Sequence, residues 1–434
     1  MEDNSKRTGK GISFSPERNS FIKGIKNVSE LGKTVKESLQ ETISEIMEII
    51  IGGAINISAS DIHVEPMKNR AKLRARVDGV LQDIIEIDRK TYEIFLSRIK
   101  LISGIKLNIS DRPQDGRFSV FTGEDYDVEV RSSTLPAEYG ESIVLRLLNP
   151  KSLVRLEDLG LREALLTLFK EEIKKPNGMI IITGPTGSGK TTTLYAFLKE
   201  IQKPEIKIIT IEDPIEYHLE GISQTQVDSA KGYNFASGLQ SIMRQDPDVI
   251  LVGEIRDAET SKIAIQAALT GHLVFSTLHT NDAAGTISRM VSLGENVKNI
   301  GPAVNLAVAQ RLVRKVCKKC ARLSAATPAE LKKIKAVLPE KLLKKYGLTD
   351  KPKIMKSKGC KECNLSGYRG RVGIFETILI DEEMEKFIIK NPSIAAFKKE
   401  AVKQGMLTMR EDGFIKVLKG VTTIEEVERV AGEK

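Results

Sequence analysis

Leu39, Ile43, Ile46, Met47 and Ile50 recur at helical spacing and predict a first buried helix. Behind it the period shortens to two. Asp61-Ile62-His63-Val64 and Leu73-Arg74-Ala75-Arg76-Val77 alternate like half-buried strands, and Asp78-Gly79 supplies a turn before Val80. Further strands are predicted at 118–121, 126–131 and 142–148, with a helix over 92–105. These elements make a small mixed α/β domain over 37–150, closed by Asn149-Pro150. Residues 1–36 are polar, carry Gly, Ser and Lys in no evident period, and read as a flexible lead-in.

From about residue 155 the pattern changes. Apolar runs at 179–182, 206–211, 249–252 and 273–275 alternate with helical stretches. Continuous apolar strands predict a parallel sheet covered on both faces, so the core domain over 151–310 is α/β. A lysine-rich region with two cysteine pairs over 311–375 and a helical tail over 376–434 complete the chain.

Composition adds limits. The 434 residues are 41% hydrophobic and 29% charged, ordinary globular values that suit two or three domains. The richest apolar run, 46–57, is broken by Glu48 and Gly52-Gly53 and falls short of the roughly 18–20 residues of a membrane span. No hydrophobic stretch follows the first charges, so neither a cleaved secretory signal nor a location outside the cytoplasm is expected. The net charge of +9 invites a nucleic-acid reading, yet 311–358 alone holds 16 Lys or Arg against three acids. The remainder is slightly acidic, and 5% aromatics without Trp is poor material for base stacking, so no nucleic acid is expected.

The motif Gly184-Pro185-Thr186-Gly187-Ser188-Gly189-Lys190-Thr191 matches the phosphate-binding loop, with Thr192 next; it follows an apolar strand and opens a helix. Its glycines let backbone N–H groups turn inward around a phosphate, and the helix N-terminus adds its positive end. Lys190 is expected on the β- and γ-phosphates and Thr191 on magnesium. Acids end the next apolar strands: Glu212, Asp213 and Glu216 after one, Glu254 after another. Ligands of open parallel sheets bind beyond the carboxyl ends of the strands, where all four fall. Glu254 reads as the magnesium-site acid, whereas Asp213 before Pro214 also suits a helix cap. His272 and His279 bracket the next strand. They are expected near the same sheet edge as the loop, either as structural strand-end residues or as γ-phosphate sensors.

All four cysteines fall in Cys317-x-x-Cys320 and Cys360-x-x-Cys363. Without a secretory signal disulfides are disfavoured, and four thiolates suit a closed structural zinc site; a DNA-reading finger and four free buried thiols are the alternatives. Lys318, Lys319 and Lys361 would offset its negative charge.

Several motifs together resemble the secretion ATPases that power type II secretion and type IV pilus assembly. Met243-Arg-Gln-Asp-Pro-Asp-Val-Ile-Leu-Val-Gly-Glu-Ile-Arg-Asp257 looks like the signature around the family's second nucleotide motif. Thr210-Ile-Glu-Asp-Pro-Ile-Glu216 is similar to its aspartate box, and Thr270-Gly-His through Leu-His-Thr280 to its histidine box. The cysteine pairs with 367–376 resemble its zinc region, and 59–66, 112–117 and 131–136 its second N-terminal domain. The resemblance, which runs from about 37 to the end, implies a RecA-like ATPase domain, a homo-hexameric ring, and ATP, magnesium and zinc as ligands. It implies Glu216 as general base, Glu254 as second-motif acid, and Arg117 and Arg131 as arginines reaching the γ-phosphate. Arg131 shares a polar face with Asp127 and Glu129, whereas Arg74 and Arg76 suit surface salt bridges. The implied partner is a platform at the inner face of the cytoplasmic membrane. Longer members carry a further N-terminal domain, in whose place about 36 residues stand here. The tetracysteine region sets the chain apart from the pilus-retraction branch. A conjugation-type nucleic-acid motor and a nucleotide-switched binding module are the competing functions.

Overall fold

A computed structural model describes residues 11–122, 126–346 and 352–432. It divides into two compact units. One comprises 1–152, 317–320 and 357–369, the other 153–316, 321–356 and 370–434.

In the first unit the strands are β1 (Gly11–Ser13), β2 (Ala59–Pro66), β3 (Arg70–Val77), β4 (Val80–Asp88), β5 (Gln114–Phe121), β6 (Asp127–Ala137) and β7 (Gly140–Leu148). They form one sheet in the order β1-β5-β6-β7-β2-β3-β4, antiparallel except for β1 beside β5. Alternation along β3 buries Ala71, Leu73, Ala75 and Val77 against helices Ile43–Asn56 and Arg89–Ser103. The helix over Ile43–Asn56 starts at a capping box, Thr42 with Glu45, as its sequence favours.

The flexible lead-in expected over 1–36 does not hold from residue 11 onward; residues 1–10 lie outside the described residues. Helices Pro16–Lys23 and Val28–Glu37 form there, and Ile22, Ile25, Val28, Leu31 and Val35 are buried. Their spacing of three or four is a helical period that interspersed Lys and Gly residues obscure. One such glycine is required by packing: a Cβ on Gly32 would stand 2.3 Å from the Ile84 carbonyl oxygen.

In the second unit β8 (Gly178–Thr183), β9 (Ile208–Glu212), β10 (Ser223–Gln226), β11 (Val249–Val252), β12 (Leu273–Leu278), β13 (Val304–Val316) and β16 (Tyr368–Leu379) form a sheet. Its order is β10-β9-β11-β12-β8-β13-β16, parallel from β10 to β13. β8, β9, β11 and β12 are buried at every residue, with separate apolar cores on the two faces, the doubly covered sheet that the apolar runs predict.

The single region expected over 311–375 is divided: the cysteine pairs belong to the first unit and the segment between them to the second. That segment pairs β14 (Ala321–Ala325) with β15 (Lys353–Ser357) and packs Ile334, Leu338 and Ile354 against Phe414, Ile415 and Val427 of the tail. Among the described residues three of its lysines are paired, Lys333 with Glu428 and Lys356 with Glu330, both at 2.9 Å, and Lys344 with Glu340 at 2.8 Å. Among the described residues no helix is long and apolar enough to cross a membrane.

Candidate active site

The phosphate-loop motif occupies the turn between β8 and helix Lys190–Ile201. Gly184, Gly187 and Gly189 all have positive φ (147°, 77° and 88°), which glycine adopts without steric cost. A Cβ on Gly184 would meet the Gln310 carbonyl oxygen at 2.5 Å, and one on Gly189 the Gln310 carboxamide nitrogen at 2.8 Å. Gln310 itself is buried on β13 and takes the Thr193 hydroxyl at 2.8 Å, so β13 supports the loop from behind. Only a polar residue in the apolar run Leu306-Ala-Val-Ala-Gln310 signals this role in the sequence, and it belongs to no motif.

Lys190 Nζ donates to the Gly184 carbonyl oxygen at 2.8 Å. Burial lowers its pKa, and the charges of Glu254 and Glu216 oppose that shift. Both acids therefore act on the loop lysine, as their places beyond β11 and β9 require. Glu254 is 14% exposed, pairs with Arg256, and lies 3.4 Å from His279 Nε2. Two bonds stitch this acid's segment to the neighbouring strand: Ile255 N–H donates to the Thr277 carbonyl at 3.0 Å, and Thr277 Oγ1 donates to the Gly253 carbonyl at 2.7 Å. Thr183 in turn ties the loop to the turn after β12, accepting Thr280 N–H at 2.7 Å and donating to the Leu278 carbonyl at 3.0 Å.

The two histidines part company. His279 follows β12 at the phosphate-loop end, but His272 precedes it, and its carbonyl accepts from Gly178 N–H at the start of β8. The expectation that both lie at one sheet edge is thus corrected for His272. A six-residue strand at about 3.3 Å per residue separates them along the sheet.

In the first unit Arg117 and Arg131 are cross-strand partners on β5 and β6, and Arg131 is the partner of Arg146 on β7. Three guanidinium groups therefore stand side by side across one sheet face. Glu129 lies 3.4 Å from Arg131, and Asp61 3.2 Å from Arg146. Arg117 is exposed. Like charges directly opposite each other are unfavourable, which favours counter-charges such as Glu129 and Asp61 beside the row. Arg146 was not singled out in the sequence, because register across strands, not spacing along the chain, brings it there. Arg74 and Arg76 are in ion pairs, with Glu65 at 3.0 Å and Asp61 at 3.6 Å.

The four cysteines converge, also in the first unit. Their sulfurs all lie within 4.8 Å of one another, with Cys317–Cys360 at 3.9 Å, Cys320–Cys363 at 3.8 Å and Cys360–Cys363 at 3.7 Å. Tetrahedral bonds of about 2.3 Å from zinc to sulfur set thiolates about 3.8 Å apart, so the cluster has the dimensions of a zinc site. Cys363 Sγ accepts N–H groups from Cys360 at 3.1 Å and Gly367 at 3.3 Å, which suits a thiolate.

Comparison with known proteins identifies the family. The family described as type II/IV secretion system protein matches residues 36–429. The type II secretion system protein E of Pseudomonas aeruginosa is 43% identical over 410 residues, which span 94% of this chain and 79% of that protein. The type IV pilus assembly ATPase PilB of Thermus thermophilus is 40% identical over 421 residues, 93% of this chain but 46% of that one. Among solved structures, the pilus retraction motor PilT with bound ADP is 26% identical with a TM-score of 0.58, covering 88% of this chain and 95% of that one. The Legionella pneumophila ATPase DotB, at 23% identity and a TM-score of 0.64 over 88% and 94%, shares the fold. The family match over 36–429 and relatives at 40–43% identity place the chain in the type II/IV secretion system protein family, as one of its ATP hydrolases.

Proposed function

We propose that this chain is a mechanical ATPase that works as a homo-hexamer at the inner face of the cytoplasmic membrane. There it drives a platform that assembles a type IV pilus or exports protein by type II secretion. The observation that carries the reading is the phosphate loop between β8 and helix Lys190–Ile201, which sets Lys190 Nζ against the Gly184 carbonyl at the carboxyl end of the parallel sheet, with Glu254 beyond the end of β11. ATP binds along 184–192, its phosphates taken by the loop's N–H groups and by Lys190. Glu216 orients the attacking water, and His279 beside Glu254 senses the γ-phosphate. Arg117 and Arg131 meet the charge that develops on the transferred phosphoryl group. Thr191 and Glu254 would hold magnesium, which neutralises phosphate charge when bound. Release of products completes the cycle, and the conformational change coupled to it performs the work. The relatives named above support either a pilus or a secretion machine.

In purified protein Lys190→Ala is expected to lower ATP hydrolysis by about 10²–10³-fold with the melting temperature kept, the usual loss for one preorganised donor. Single-stranded DNA is expected to leave wild-type turnover unchanged. Hydrolysis that survives Lys190→Ala would place the chemistry elsewhere, and stimulation by DNA with steep salt dependence would favour a nucleic-acid motor.

Cys317, Cys320, Cys360 and Cys363 would hold zinc, which supplies folding energy and no catalytic position, because four thiolates close the coordination sphere. Protein purified under reducing conditions is expected to carry one zinc per chain by elemental analysis. Cys363→Ser is expected to lose it and to melt lower by about 5 °C or more, the shift of roughly 2 kcal/mol in a unit of this size. Wild-type protein that purifies without zinc, or Cys363→Ser melting at the wild-type temperature, would contradict the assignment.

A further inference from the structure

Glu212 ends β9 and is buried, whereas Glu216, four residues on, is half-buried. The Glu212 carboxylate is already occupied. Its Oε2 accepts the Tyr195 hydroxyl, and its Oε1 accepts Thr210 Oγ1 at 2.6 Å and Gln224 Nε2 at 3.2 Å. Tyr195 stands on the phosphate-loop helix, five residues beyond Lys190. Burial, with the Glu212 charge beside it, pushes the Tyr195 phenol above its usual range, so it stays a donor.

Gln224, on β10, employs its whole amide. Besides the bond to Glu212, its Oε1 accepts Leu219 N–H at 2.7 Å and its Nε2 also donates to the Tyr217 carbonyl at 3.0 Å. The rings of Tyr195 and Tyr217 meet edge to face, 6.3 Å between centroids. A continuous path of hydrogen bonds therefore leads from the phosphate-loop helix through Glu212 and Gln224 to the backbone directly after Glu216. Such a network fixes geometry: each member is satisfied, and breaking one bond leaves a buried polar atom unpaired.

We propose that Tyr195, Glu212 and Gln224 are positioning residues that hold the Glu216 loop in register with the phosphate-loop helix. Glu212 thus acts through the loop and not on the reacting atoms. The proposal rests on the reading of Glu216 as the residue that orients water.

Gln224→Ala and Tyr195→Phe, made in the full chain, test it. Gln224→Ala is expected to lower kcat by about 10–10²-fold, the scale of a misplaced catalytic group. Tyr195→Phe, which removes one oxygen, is expected to lower it by about threefold or more. KM for ATP, and the affinity for a fluorescent ATP analogue, are expected to stay within about twofold in both. Amide hydrogen exchange over 217–222 should accelerate in Gln224→Ala while that over 190–201 does not. A purely structural role would reduce binding and kcat together, and that result would overturn the proposal. So would kcat within about twofold of wild type in both variants. If Gln224→Ala does not fold, the smaller change in Tyr195→Phe carries the test alone. Glu216→Gln separates the two layers: hydrolysis that survives it refutes the reading of Glu216. Hydrolysis lost in Glu216→Gln but intact in both positioning variants refutes the positioning network only.

Discussion

Arg131→Ala is expected to lower ATP turnover by about 10³-fold or more, the scale of an arginine that meets developing phosphoryl charge in other nucleotide hydrolases. The row Arg117–Arg131–Arg146 places three cations in cross-strand register, with Glu129 and Asp61 as its nearby acids. An anion gaining charge in front of that row relieves mutual repulsion among the arginines, so the interaction strengthens as the reaction proceeds and appears in kcat. Arg117→Ala is expected to act in the same direction, and the double variant to cost less than the product of the two, because the pair works as a unit. Arg74→Ala is the control. Its guanidinium lies in ion pairs with Glu65 and Asp83, and surface pairs of this kind are worth about 0–1 kcal/mol, so turnover should change by no more than about twofold. Steady-state kcat beside nucleotide affinity measures all four. Wild-type turnover in both Arg117→Ala and Arg131→Ala would remove the row from the reaction.

Glu216→Gln is expected to reduce kcat by about 10²–10⁴-fold while ATP still binds with near wild-type affinity. The amide keeps the shape of the carboxylate but takes no proton from water. Its neutral charge also removes one of the two carboxylates that act on Lys190. The loop lysine would then hold the phosphates at least as firmly, so a loss of binding is not expected. Phosphate release in a single turnover, measured beside binding of an ATP analogue, separates the two steps. Equal loss of both would make Glu216 a binding residue, and loss of neither would give its place to another group.

The parts of the fold that the sequence announces are those with an unbroken period. β8, β9, β11 and β12 are apolar at nearly every position because helices cover both faces, and they were legible as such. The strands of the first unit were legible through alternation. The helices over 16–37 were not, because Gly24, Lys26, Gly32 and Lys33 interrupt an apolar period whose members bury themselves only once β4 and the helix over Ile43–Asn56 lie against them. In the site, the phosphate loop and the cysteine spacing are local signals that survive without a structure. Gln310, Thr183 and Arg146 act through neighbours remote in sequence, and Gln224 through the pairing of β10 beside β9, which one chain does not reveal. The misplacement of His272 has the same origin. Two histidines seven residues apart look adjacent in a motif, yet a parallel strand between them carries one to each end of the sheet.

The central claim, that ATP turnover at this loop powers a pilus or secretion machine, is tested most directly in cells whose chromosome carries Lys190→Ala. Surface filaments are viewed by electron microscopy, secreted protein is assayed in the culture medium, and the level of the variant is checked in parallel. Loss of filaments, or of a protein from the medium, at normal variant level is the predicted result. Unchanged filaments together with an unchanged medium would contradict the account.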